Sequence, residues 1–264
     1  MSSEADSVLL KSDNIEGVVT LTLNRPGQFN SLSDELLYSL QHELDALAKD
    51  ATVRVVVLAA NGRAYCAGHD LKQMRERAEE TYYQGLFSRC GVLMQTIMRQ
   101  PQPVIARVHG VATAAGCQLV ASCDLAVASD KARFAVSGIN VGLFCSTPSV
   151  ALARNVGRKR ALEMLLTGEF ISAEQAVVEG LINHAVPAEQ LDQTVARLCE
   201  AICAKSAMAI RTGKEMFYRQ LEMGVAQAYD YASGVMACNM MHEDAAEGID
   251  AFMQKRKPAW KQPA

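Results

Sequence analysis

A chain of 264 residues and 28.6 kDa is long enough to bury about three quarters of its unfolded surface in a substantial core. Half of the residues are hydrophobic, yet no run of about 20 apolar residues appears, which excludes a membrane-spanning helix. The 26 Lys and Arg against 29 Asp and Glu leave a net charge of −3, which excludes the broad basic footprint of a nucleic-acid binder.

The first residues, MSSEADSVLLKSDN, are acidic and lack the arginine-rich or apolar character of transit and signal peptides, so a cytoplasmic location is expected unless a leader has already been removed. Val18 to Leu23 alternates toward a strand. NRPGQFN then turns the chain into a helix from about Ser33, with Leu36, Leu37, Leu40, Leu44 and Leu47 on one stripe and Asp34 and Glu35 in a first turn whose dipole favours them. The run VRVVVLA from Val53 to Ala59 reads as a strand buried on both faces. It leads into NGRAYCAGHDLKQM, where Ala67 and Gly68 supply a small turn and Asp70 caps the following helix. Glu76, Glu79 and Glu80 are expected on a solvated helix face with Arg75 and Arg77.

Pro103 to Val108 is a further apolar run, and Gly110 to Asp124, GVATAAGCQLVASCD, reads as strand, turn and helix start. The first turn of such a helix presents unpaired N–H groups to developing negative charge. Ala114, Ala115 and Gly116 leave room for a ligand to approach them. Another strand follows at residues 124–128, and from Ser172 onward helices dominate. They end in a region containing Met208, Met216, Met223, Met236, Met240, Met241 and Met253, a pattern that usually fills a core.

The eight cysteines mostly lie among apolar neighbours and read as free thiols. Cys199 and Cys203 share a helix face without a nearby histidine, so no metal site is expected. No GxGxxG, Walker loop or GxSxG elbow occurs, which argues against nucleotide triphosphatases and serine hydrolases.

Asn24-Arg25-Pro26 through Asn30-Ser31-Leu32-Ser33, Ala67-Gly68-His69-Asp70-Leu71-Lys72, Pro103 to Ala106 with Gly110, and Gly116-Cys117-Gln118-Leu119 with Cys123-Asp124 together resemble the crotonase, or enoyl-CoA hydratase/isomerase, superfamily in order and spacing. Matches at Phe134, Gly142, the run from Ala161 to Gly168, Ile171-Ser172-Ala173 and the terminal Phe252 to Pro258 extend the resemblance over nearly the whole chain.

The resemblance implies an α/β fold: a crotonase-like spiral of repeated ββα units over residues 1–204, then a helical region at 205–264 that assembles trimers, often paired as hexamers. It implies an acyl-CoA or enoyl-CoA substrate, with no cofactor beyond the coenzyme A that the substrate carries. Catalysis would rest on an oxyanion hole made by the N–H groups of His69 and Ala115, each worth roughly 3–4 kcal/mol to an enolate. Coenzyme A contacts carry over onto Arg25, Phe29, Ala67, Lys72 and Lys214. The terminal Lys255-Arg256-Lys257 is either a solvated end or a further contact to coenzyme A phosphates or a neighbouring subunit.

Members that hydrate enoyl thioesters use two glutamates, and their positions correspond to Gln118 and Gly138. A glutamine amide orients water but does not take its proton, and glycine offers no side chain. The loop from Phe134 to Val150 contains no Asp or Glu, and Cys145 is the thiol bordering the expected pocket. Ordinary hydratase activity is therefore not expected. The His69 side chain is expected to point outward with one structural hydrogen bond, the alternative being an imidazole that handles protons. Two functions stay open: an acyl-CoA enzyme with an unconventional acid/base group, and a non-catalytic acyl-CoA-binding or regulatory protein.

Overall fold

The computed structural model describes residues 7–261. Its chain repeats one unit, two strands followed by helix. The first comprises β1 (Leu9–Ile15), β2 (Val18–Leu23) and α1 (Asp34–Leu47). The second comprises β3 (Val55–Ala60), β4 (Ala64–Cys66), α2 (Leu71–Glu76) and α3 (Glu80–Arg99). The third has β5 (Val104–Val108), β6 (Val111–Thr113) and α4 (Ala115–Ser122), and the fourth has β7 (Leu125–Ser129), β8 (Arg133–Ala135), α5 (Ser146–Asn155) and α6 (Arg158–Thr167). After these come β9 (Ile171–Ser172), α7 (Ala173–Val178), β10 (His184–Val186) and α8 (Leu191–Cys203), then α9 (Ala207–Gln220), α10 (Val225–Met240) and α11 (Glu243–Met253).

Units two to four send their first strand into one sheet and their second into another. The six-stranded sheet has the order β1-β2-β3-β5-β7-β10, and the four-stranded sheet the order β4-β6-β8-β9. Within the larger sheet only β1 and β2 pair antiparallel; β2, β3, β5, β7 and β10 run parallel.

The apolar runs follow from this layering. In β3, Val56 and Leu58 face the main core with the leucine stripe of α1, while Val55 and Val57 face the other side with Leu191, Val195 and Cys199 of α8. A strand covered on both faces has no reason to alternate polar with apolar residues. Leu36, Leu40 and Leu44 of α1 are fully buried, each worth about 2 kcal/mol relative to exposure. Ser33 caps α1 by accepting from the Leu36 N–H, and Asp70 caps α2 by accepting from the Gln73 N–H. Instead of one continuous helix after Asp70, the chain breaks between Glu76 and Glu80, where Arg77 leaves helical geometry and reaches Asp34.

Candidate active site

Parallel pairing of β4 and β6, with Ala64 beside Val111 and Cys66 beside Ala112, makes the chain leave both strands side by side. The turn 67–70 and the start of α4 are therefore neighbours, in the usual place for ligands at the C-terminal ends of parallel strands. Glycine makes the approach possible. A Cβ on Gly68 would stand 2.9 Å from the Ala114 Cβ and 3.3 Å from the Ala115 nitrogen, and a Cβ on Gly116 would overlap the Cys66 carbonyl.

The turn is held from its other side by the segment 25–32. Ala67 N–H donates to the Phe29 carbonyl (3.0 Å), Leu32 N–H to Gly68 (2.8 Å) and Asp70 N–H to Leu32 (3.3 Å). In this parallel bridge Leu32 bonds the residues before and after His69, so the His69 N–H is turned away from Leu32. Neither His69 N–H nor the N–H of Ala115, the first residue of α4, meets an acceptor among the described residues. Arg25 fastens the same turn: its guanidinium donates to the Ser31 carbonyl (2.6 Å) and pairs with Asp70 (3.0 Å). Asn30 is fully buried, donating to the Asn61 and Ala64 carbonyls (2.7 and 2.8 Å) and accepting from Arg25 N–H. Although it lies within a motif, no spacing rule marks it as a bracket between two turns.

The His69 ring departs from expectation. It does not point outward into one structural bond; both ring nitrogens are buried without a hydrogen-bond partner, and the ring meets Phe87 of α3 edge-on at 5.4 Å. Desolvation brings its pKa down to about 4, opposed only in part by the Leu32 backbone and the charge of Asp34. At neutral pH the imidazole is uncharged. Asp34 accepts from Arg89 (2.6 Å), Arg77 (3.2 Å) and the Tyr82 hydroxyl (3.2 Å), tying α3 to the start of α1. Its place in a first helical turn gives no sign of this role.

Gln118, one turn into α4, lies on the face shared with Ala114 and Ala115. It is buried, and its Oε1 has no partner among the described residues. Gly138 stands in a 3-10 turn, Ser137–Val141. Its N–H donates to the Cys145 sulfur (3.2 Å), and a Cβ there would stand 2.5 Å from the Leu143 carbonyl, so no side chain fits without moving backbone. Next to it, the hydroxyls of Ser137 and Thr113 lie 2.7 Å apart. Burial pushes the thiols of Cys66 and Cys117 up to about 12 and raises that of Cys145.

Of the expected coenzyme A contacts, Arg25 and Ala67 spend the groups just described on the turn itself. Phe29 presents an exposed ring from a left-handed backbone. Lys72 is largely exposed, 4.0 Å from Glu76. Lys214 is otherwise engaged: its ammonium donates to the Ile97 and Gln102 carbonyls and to Asp124 (3.1, 3.0 and 2.5 Å). Ile97 lies in the last turn of α3, and Gln102 and Asp124 lie just before β5 and β7, away from the paired turns. With all three protons spent in a buried network, Lys214 serves packing of α9 rather than a coenzyme A phosphate. In the terminal basic cluster, Arg256 pairs with Glu247 at 2.6 Å.

The family model for enoyl-CoA hydratase/isomerase matches residues 13–263. A Xenopus laevis protein named "Enoyl-CoA hydratase domain-containing protein 3, mitochondrial" is 48% identical over 92% of this chain and 83% of its own. Its human namesake is 46% identical over 93% of this chain and 81% of its own. The crystal structure of an enoyl-CoA hydratase from Mycobacterium smegmatis is 57% identical, with a TM-score of 0.95 over 96% of this chain and 98% of the other. The word mitochondrial in the names of the Xenopus, mouse and human relatives overturns the cytoplasmic expectation. That expectation rested on the composition of one short N-terminal stretch, and a cellular address need not reside in the part of a chain that folds. From residue 13 to 263, and with a spiral of ββα units shared with solved crotonase-fold hydratases, this chain belongs to the enoyl-CoA hydratase/isomerase family.

Proposed function

We propose that the protein binds acyl-CoA or enoyl-CoA thioesters and stabilises a thioester enolate with the N–H groups of His69 and Ala115. The observation that carries this reading is the approach of the turn 67–70 to the start of α4, within contact distance of the Ala115 nitrogen, with both donors unspent. Two fixed donors favour the enolate oxygen over the ground-state carbonyl, because charge reaches that oxygen only as the reaction proceeds. Family membership and the names of the relatives support the thioester.

Hydration by a pair of carboxylates is not part of this proposal. Gln118 is neutral, Gly138 has no room for a side chain, and the Ser137 and Thr113 hydroxyls, bonded to each other, are not bases that take a proton from water. The same absence favours the second reading, a protein that keeps the thioester site without turnover.

The measurement that separates the two readings pairs thermal stability with consumption of acyl-CoA and enoyl-CoA esters. Stabilisation by mass action with loss of a 2-enoyl or 3-enoyl ester supports the enzyme. Stabilisation with every ester intact supports the binding protein, and no stabilisation by any ester rejects both. Crotonyl-CoA hydration at about 10 per second, a typical enzyme rate, would overturn the reading of Gln118 and Gly138.

In this proposal the spiral before residue 205 carries the thioester site and the helices after it form the assembly surface of a homotrimer or homohexamer. Exposed apolar side chains on α10 and α11, among them Val225, Tyr229, Met236 and Phe252, support an occupied surface there.

A further inference from the structure

We infer that the His69 imidazole is the proton-transfer group of this site, removing a proton from the carbon next to the thioester carbonyl while the same residue's N–H holds the carbonyl oxygen. This rests on the thioester reading above and adds to it a base.

Three observations converge. The imidazole hangs from the residue whose amide would contact the thioester oxygen, so the ring and the oxygen site share one residue. Both of its nitrogens are buried and unpartnered, a costly arrangement that a native structure keeps for a reason. Its edge rests on Phe87, with Tyr83 stacked on that ring in turn, an apolar wall that excludes water from a base.

Elimination leaves no rival among the described groups around the two turns. Asp70 is paired with Arg25 and caps α2. Asp34 is held by Arg77, Arg89 and Tyr82. Glu76 is exposed beside Lys72. Burial keeps the thiols of Cys66, Cys117 and Cys145 protonated, and Gln118, Ser137 and Thr113 are not bases near neutral pH. The charge of Asp34 from α1 acts on the ring, while from α3 the Tyr82 hydroxyl donates to that Asp34 and Tyr83 stacks on Phe87.

The step balances. The Cα–H bond breaks and its proton joins the lone pair of the unprotonated ring nitrogen. The bonding electrons form the Cα–C1 double bond as the carbonyl pair shifts onto oxygen, between the two N–H donors. Return of a proton from the imidazolium to Cα completes exchange.

The test uses butyryl-CoA in D2O with the wild type, His69→Gln and His69→Ala, following α-deuterium incorporation by NMR and binding by thermal stabilisation. Expected is incorporation by the wild type, and in both variants a loss of at least about 100-fold in exchange with stabilisation by butyryl-CoA retained. Exchange in His69→Gln within a few-fold of the wild type overturns the inference, as does a wild type that binds butyryl-CoA without exchange above background. Loss of binding in both variants assigns the ring to binding rather than proton transfer and also overturns it. A wild type that butyryl-CoA does not stabilise rejects the thioester reading itself, and this inference falls with it.

Discussion

At residue 114 a methyl group occupies a backbone position made for glycine: Ala114 has φ 51° and ψ −121°, the geometry of the first central residue of a type II′ turn. Such strain costs about 1–3 kcal/mol and tends to gather at functional sites. Here the strained peptide directly precedes the Ala115 donor. Ala114→Gly relieves it at an entropic cost of about 0.5–1 kcal/mol, and urea denaturation is expected to show a net gain of about 1 kcal/mol. The His69 ring makes a second prediction. Its folded-state pKa of about 4 lies below the ordinary 6.5, so the unfolded chain binds more protons between those values and stability falls as pH drops from 6.5 to 4. The linkage amounts to about 3 kcal/mol by pH 4, and denaturation curves of His69→Gln are expected to lack that share of the loss. Both residues were legible as motif members. The buried ring was not, because which way a side chain turns from a strand end depends on α3, a helix whose packing no local pattern specifies.

Among the elements, the long apolar runs were readable in advance because burial on two faces or a leucine stripe leaves a pattern over six or more residues. β4, β6 and β8 span three residues each, too few to show any period, although they place the site. α9 is tied down by a network equally invisible in the sequence. Asp124 accepts from Lys214, from the Tyr218 hydroxyl (2.9 Å) and from Val104 N–H (2.6 Å). Desolvation pushes the Asp124 carboxyl up and the Lys214 ammonium down, so each ion depends on the other to remain charged. Lys214→Met is expected to cost about 3–5 kcal/mol by leaving a buried carboxylate unpaired, and adding Asp124→Leu is expected to recover part of it. A loss in the double variant equal to the sum of the two single losses, measured by equilibrium denaturation, would show the pair uncoupled.

For the whole molecule, the apolar side chains left on α10 and α11 make assembly testable. Tyr229 and Met236 on α10, Met241 just after it and Phe252 on α11 are each more than 70% exposed, and for the assembly proposed above two aspartates, at Tyr229 and Met236, are expected to shift the mass measured by light scattering from trimer or hexamer to monomer. The feeding of consecutive strands into two sheets has a kinetic corollary. β4 and β6 lie more than 40 residues apart in the chain, so neither amide donor has its neighbour until a long loop has closed. Ligand affinity should then emerge late in refolding, as a property of the completed spiral. Fluctuations confined to one turn would pull the donors apart only by breaking the strand pairing that holds them, and a bound thioester should slow amide exchange across both sheets together rather than at the turns alone.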